Sequence, residues 1–362
     1  MLCQTSSVQT LKDNEFQCLN CRSRLAPQPV LQGCQDLYLV TPFEVDYVKC
    51  HECGLVQVSS VPEDVSLYYQ QYPVHQRKSR VHEWLRNIVL APAYFSVSSL
   101  PKGAVLLDFG CGDGGFLESC RHKQLQLVGF EKSPTQAERL SQRLGLPVYS
   151  DAESLLSDFA NKVDVVTMHF VVEHLTDLHQ SFLHVESLLK PGGAFFFTVP
   201  NLESWEAKLF GKKWHGLDAP RHISFPHKSV VDQLARRHGM TLAKAGTVPF
   251  PNGFAGSIPA AVMGRFNFPL YLCALPVGVA ASRLFPSGFI AYSLRRDGTN
   301  STLGADESDP EKLAPTPFAP PKSCANGLST YSTLAQQGDH LLVSLNQGSV
   351  LFLSVTLQFL HG

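Results

Sequence analysis

Four thiols in this sequence stand at metal-ligand spacing. Cys18-x-x-Cys21 and Cys50-x-x-Cys53-Gly54 form two tight turns, each offering two sulfurs on one side of the chain. Four thiolates suit a closed tetrahedral zinc site, which serves structure and leaves no open position for catalysis. A redox dithiol would need only one pair. The gap between the pairs exceeds that of the usual zinc ribbon, so the spacing constrains the ligands more than the loop joining them. Cys3, Cys34, Cys111, Cys120, Cys273 and Cys324 follow no such spacing and read as free or buried thiols.

A second centre lies in "LLDFGCGDGG", residues 106–115, where an apolar run enters a glycine-rich turn. Gly110, Gly112 and Gly115 satisfy the G-x-G-x-x-G spacing of a dinucleotide loop. A pyrophosphate, however, is received by backbone N–H groups at a helix start. Here Asp108 stands at the entrance of the loop and Asp113 inside it. Two carboxylates repel phosphates but suit a ligand with an ammonium and a sulfonium, such as S-adenosylmethionine (SAM). Glu131, at the end of the next apolar run, can accept hydrogen bonds from both ribose hydroxyls of an adenosyl group.

These residues need a scaffold, and the pattern from Lys102 onward supplies one. Apolar runs alternate with amphipathic stretches, as in a parallel sheet covered by helices. Strands are predicted over 104–110, 125–131, 147–150, 163–170 and 193–201, with helices over 114–123, 134–144, 153–160 and 178–190. Pro191 in "KPGG" stops the last helix. A helix over 229–239 and strands over 240–248 and 288–296 complete an α/β fold with a mostly parallel, seven-stranded sheet and helices on both faces. The expected organisation is a zinc-binding module over 1–60, a helical lead-in over 61–101, the α/β domain over 102–296 and a flexible tail over 297–362, where Ser, Pro, Asp and Gly prevail. In the lead-in, Val81, Trp84, Leu85, Ile88 and Val89 keep helical spacing.

Composition narrows the function. Of 362 residues 17% are charged and the formal net charge is −1, which provides no basic field for nucleic acid. The first residues show no basic region leading into an apolar core, so a cytoplasmic location is expected. An apolar insertion at about 249–287 holds one charge, Arg265, before Arg283, and its prolines argue against a membrane span. It could cover the acceptor, make peripheral contact with a membrane, or serve as a buried connection.

In order and spacing, "LLDFGCGDGGFLE", "GFEKS", "VDVVTMHFVVEHLTD" and "LLKPGGAFFFTVPN" resemble the successive motifs of class I SAM-dependent methyltransferases, over about residues 104–248. The resemblance implies a Rossmann-like sheet and a set of cofactor contacts. Gly110 and Gly112 would let the backbone approach the methionine part, with Asp108 near its amino end. Glu131 would hold the ribose diol, Asp151 the adenine amino group, Ala152 a backbone contact, and His169 would face the cofactor. Asp151 also reads as the N-cap of the helix at 153–160.

"CHECGLVQVSS" followed by "YYQQYP" is similar to the zinc-bearing module of bacterial methyltransferases, including deoxysugar C-methyltransferases. In that group the module walls the substrate pocket, which would turn Tyr68, Tyr69 and Tyr72 toward the acceptor. The sugar enzymes carry a further carboxy-terminal domain that this sequence does not show, which points to the broader zinc-module group. "WHGLDAPRHISFPHKSV" resembles the substrate-site segment of these proteins. His222 matches the family histidine, which implies a base or acceptor ligand; His215 and His227 are weaker candidates. In ubiquinone-pathway O-methyltransferases a pair like Glu173-His174 joins an acidic residue three positions before the glutamate to hold a divalent ion. That position is Phe170 here, so Glu173 and His174 read instead as caps of the next helix.

The expected activity is SAM-dependent methyl transfer to oxygen or carbon of a small-molecule acceptor, such as a sugar or lipid-linked intermediate, with structural zinc. The competing expectation is a binding or scaffold protein that keeps this fold without turnover. Oligomeric state is open.

Overall fold

The computed structural model describes residues 16–61, 65–69, 97, 100–298, 334–337 and 340–343. Its centre is a seven-stranded sheet. Five strands run parallel: β4 (Val105–Phe109), β5 (Gln126–Phe130), β6 (Val148–Tyr149), β7 (Val163–His169) and β8 (Leu189–Pro200). β10 (Met240–Thr247) and β11 (Phe289–Arg296) extend the sheet, β11 running antiparallel to both β8 and β10. The spatial order is β10-β11-β8-β7-β4-β5-β6. It reverses direction beside β4, and in open α/β sheets that switch point is where ligands bind.

Local chemistry sets the helices between these strands. α1 (Gly115–Cys120) follows the glycine turn. α2 (Pro134–Leu144) begins on Ser133, whose side chain accepts from the Gln136 N–H, and ends at Gly145 in the left-handed region. α3 (Ala152–Phe159) is capped by Asp151 and α4 (Leu178–Leu188) by Asp177. α5 (Trp205–Phe210) starts on Ser204, and α6 (Lys228–Arg237) buries Val230, Val231 and Leu234. Leu106, Leu107, Val128, Val166, Phe195 and Phe197 are fully buried in the core.

The apolar insertion folds as two packed helices, α7 (Asn252–Met263) and α8 (Phe268–Leu284). Each contains an internal proline, Pro259 and Pro276, which disguises the helical pattern in the sequence. Among the described residues no helix is long and apolar enough to cross a membrane.

The amino-terminal module forms a second sheet from β1 (Gln28–Gln35), β2 (Glu44–Lys49) and β3 (Val56–Val58). It is not self-contained. Its fourth strand is β9 (Ser224–Phe225), which comes from the α/β domain and pairs antiparallel with β3. Most of the helical lead-in falls outside the described residues, as does Tyr72; a single turn at Val65–Tyr68 is described. Most of the tail is likewise not described. Within it, β12 (Leu334–Gln337) and β13 (His340–Val343) pair as a hairpin, in a unit separate from the rest.

Candidate active site

The glycine turn leaves β4 where the sequence places it. Gly110 has φ +81° and Gly112 φ +55°, conformations that glycine adopts without strain. A Cβ on Gly110 would lie 2.7 Å from Val171, whereas one on Gly112 would meet nothing within 4 Å. The open side of the turn is therefore at Gly112. Glu131 faces it: one carboxylate oxygen accepts from the Gly112 N–H at 3.0 Å and the other from the Ser133 N–H at 3.2 Å.

Asp108 is buried on β4, where the Thr167 hydroxyl donates to it at 2.8 Å. Burial pushes its carboxyl up to about 7 despite that bond, and the charges of Asp113 and Glu131 add to the rise. A cation among these three groups would relieve the repulsion, so the residues present fit the ammonium and sulfonium of SAM. His169 ends β7 with its ring 4.5 Å from Phe116, on the helix that follows the turn. Asp151 is exposed and acts as the cap of α3, accepting from the Ser154 N–H at 2.8 Å and hydroxyl at 2.7 Å through one oxygen. Ala152 is the first residue of α3.

From β7 the chain runs directly to a second cluster. Phe170 takes φ +58° and turns it into a short helical turn, Val172–His174, so that Val171 touches Gly110 on one side. On the other side the Glu173 carbonyl accepts from the Ile223 N–H at 2.6 Å, which fixes the segment carrying His222. His222 is buried and its Nδ1–H donates to the Gly216 carbonyl at 2.9 Å. Nε2 therefore carries the lone pair. It lies 3.9 Å from Glu173 Oε1 and 3.9 Å from Asp218 Oδ2. Burial, reinforced by His174, holds the imidazole down to about 3, so it is neutral at neutral pH.

Glu173 and His174 do not cap the next helix, because Asp177 does so. Glu173 is instead fully buried, neither carboxylate oxygen has a hydrogen-bond partner among the described residues, and burial pushes it up to about 8. His174 Nδ1 lies 2.9 Å from the Arg221 carbonyl and 3.0 Å from the Tyr69 hydroxyl. Tyr69 thus reaches the cluster, while Tyr68 is buried against Phe43. Glu173, His174 and His222 bring ligand-type atoms within 4.8 Å of one another, a grouping hidden in the sequence because His222 lies far along the chain. His215 and His227 are engaged outside this cluster. His215 Nε2 lies 3.0 Å from the Tyr38 hydroxyl, and His227 Nε2 lies 3.1 Å from the Gly54 carbonyl.

Arg221 is a residue that sequence reasoning missed. Its guanidinium is inaccessible and grips Asp36 at 2.6 and 3.2 Å and Asp218 at 2.8 Å. Burial alone would raise the Asp218 carboxyl, but Arg221, with His222 and His174, draws it below the ordinary range. Asp36 also accepts from the N–H groups of Tyr38, Val40 and Thr41. The fork joins the module to the histidine loop, and the only hint in the sequence is the run Asp218-Ala219-Pro220-Arg221-His222.

The four module cysteines converge as their spacing predicts. Cys18 and Cys53 sulfurs are 3.4 Å apart, Cys21 and Cys50 sulfurs 3.5 Å, and all four lie within 4.8 Å of one another. A tetrahedral site with zinc–sulfur bonds of about 2.3 Å needs sulfurs roughly 3.8 Å apart, so the residues fit zinc. Gly54 closes the second turn at φ +79°; Arg22, at φ +62°, closes the first without a glycine. Behind the first turn, the Asn20 carbonyl accepts from Arg237 at 3.0 Å and lies 2.6 Å from His179 Nε2. The Tyr47 hydroxyl of β2 donates to the His222 carbonyl at 2.9 Å.

Comparison with known proteins agrees with this architecture. Residues 74–245 match the family described as methyltransferase domain. Ubiquinone biosynthesis O-methyltransferase of Proteus mirabilis is 30% identical over 120 residues, 31% of this chain and 49% of that protein. C-methyltransferase NovU of Streptomyces niveus is 24% identical over 226 residues, 59% of this chain and 50% of that protein. The chain thus spans about half the length of these relatives. Among solved structures, a Burkholderia thailandensis 1,6-didemethyltoxoflavin-N1-methyltransferase shares 14% identity at a TM-score of 0.44, covering 75% of this chain and 99% of that one.

Proposed function

We propose that the chain transfers a methyl group from SAM to oxygen or carbon of a small-molecule acceptor, with His222 as the base and a structural zinc on Cys18, Cys21, Cys50 and Cys53. One observation carries this reading. The segment Phe170–His174 bridges the two halves of the site, with Val171 against Gly110 and the Glu173 carbonyl holding the His222 loop. SAM would supply a methyl group already activated by its sulfonium. The glycine turn with Asp108 receives the amino-acid part, Glu131 the ribose, Asp151 and Ala152 the adenine, and His169 lines the cofactor side. Alignment of the acceptor is the main task left to the protein.

His222 suits proton removal because its Nδ1–H is committed to the Gly216 carbonyl, which leaves the Nε2 lone pair to accept a proton. Asp218 stabilises the imidazolium that forms, at 3.9 Å. Tyr69, held at His174, orients the acceptor. Zinc fixes the module that supplies Asp36 and Tyr47 behind the histidine loop. Transfer to oxygen or carbon agrees with the relatives' names, one an O-methyltransferase of ubiquinone biosynthesis and the other a C-methyltransferase.

Calorimetry with SAM and NADH, followed by incubation of the protein with labelled SAM and a metabolite extract, tests the reading. Expected are SAM binding, a labelled product, and a 10²–10⁴-fold loss of transfer in His222→Asn with the SAM affinity kept. NADH binding without SAM binding overturns it. SAM binding with no labelled product across acceptors would favour a scaffold role, which no observation here supports.

A further inference from the structure

The two helices of the insertion present an apolar face that the methyl-transfer reading does not use. Twelve large apolar side chains stand strongly exposed among the described residues, and six of them lie here: Val262, Met263, Phe268, Leu272, Val277 and Leu284. On α8 the opposite side is made of small residues. Ala274, Gly278 and Ala281 are buried, and a Cβ on Gly278 would sit 2.8 Å from Ala255 of α7. The pair is thus locked together through small residues while the larger ones point outward. Leu209, at the end of the neighbouring α5, is 53% exposed and adds to the same kind of surface.

Cations predominate around this face, where the acidic side chains are exposed Glu203 just before α5 and Glu44, which shares a cleft with Lys213 and Gly264. No Asp or Glu occurs between Asp232 and Asp297, and Glu206 of α5 is buried. Arg265 lies in the turn between α7 and α8, Arg283 in the last turn of α8, and Lys208 on α5. Lys213 donates to the Gly264 carbonyl at 3.1 Å, which places another cation at that turn. An apolar face whose rim carries an excess of cations complements a surface that is apolar inside and anionic at its headgroups. A second copy of the chain would bring the same cations together.

We propose that the outward face of α8, with the ends of α7 and α5, docks on an anionic phospholipid bilayer. The apolar side chains enter the boundary between headgroups and acyl chains, and the four cations sit among the phosphates. The proposal stands apart from the identity of the acceptor and from turnover itself.

Flotation of the full-length, zinc-loaded protein with vesicles tests it, using phosphatidylcholine alone and a three-to-one mixture with phosphatidylglycerol. Binding to the mixed vesicles is expected to be at least tenfold tighter and to weaken with salt. The double variant Leu272→Glu, Val277→Glu changes two exposed positions; it should lose at least tenfold in binding while its thermal unfolding is unchanged. Arg265→Gln should weaken binding about fivefold. Equal affinity for both vesicle types, or undiminished binding by the double variant, overturns the proposal. So does a dimer in solution that the double variant converts to monomer, which would make the face a contact between copies.

Discussion

Replacing Glu173 by glutamine keeps the shape of a fully buried side chain and removes its ionisation. The wild-type carboxyl is pushed up to about 8 in the folded chain against an ordinary 4.5. A raised folded value means that its contribution to stability is complete below pH 4.5 and fades as pH rises through 8. Each pH unit in that window costs about 1.4 kcal/mol, so the loss relative to pH 4 is about 3 kcal/mol at pH 7 and about 5 kcal/mol above pH 8. Glutamine has no such dependence. The stability of Glu173→Gln minus that of wild type should therefore climb by these amounts between pH 4 and 8.5, whatever its offset at acid pH. Urea unfolding of both proteins across that range measures the difference, and the other titrating groups cancel. Parallel stability curves would show that Glu173 is ionised in the native state, and the burial argument for the cluster would fail.

Asp36→Asn removes one charge from the buried fork on Arg221 and should cost about 3–5 kcal/mol in urea unfolding, because the buried guanidinium loses one of the two carboxylates that hold it. Gly112→Ala sets a Cβ on the open side of the turn at φ +55° and should weaken SAM binding in calorimetry, whereas Gly110→Ala sets one 2.7 Å from Val171 at φ +81° and should also lower the unfolding temperature. SAM affinity should rise as pH passes about 7, since a cationic ligand favours ionised Asp108, and binding at pH 7 should release protons, seen as heats that depend on the buffer. Treatment with a thiol-modifying reagent should release one zinc per chain, read with a chromogenic chelator. Cys53→Ser should lower both the zinc content and the unfolding temperature.

The strands of the large sheet were legible because each is a short apolar run bounded by turn residues, and the four thiols because two C-x-x-C steps specify a local geometry. Features built from distant pieces were not. β9 is two residues long and has no periodicity; it becomes a strand only because β3 offers it an edge. The helices of the insertion hide behind Pro259 and Pro276, although Asn267 before Pro269 was a usable start signal, and its side chain does accept from the Leu270 N–H. Glu173 and His174 looked like caps because acidic residues favour helix starts. Asp177 takes that place, and tertiary packing turns Glu173 inward toward His222. Asp151, by contrast, was readable as a cap, and it accepts from the Ser154 N–H.

The pairing of β3 with β9 has a consequence for biosynthesis. The strand that completes the first sheet is translated about 170 residues after the edge it covers. At ribosomal speed that interval lasts on the order of ten to thirty seconds. Throughout it a nascent chain presents an uncovered β edge, the kind of surface that recruits stray strands. Early capture of metal by the thiol turns would hold that edge short and ordered while it waits.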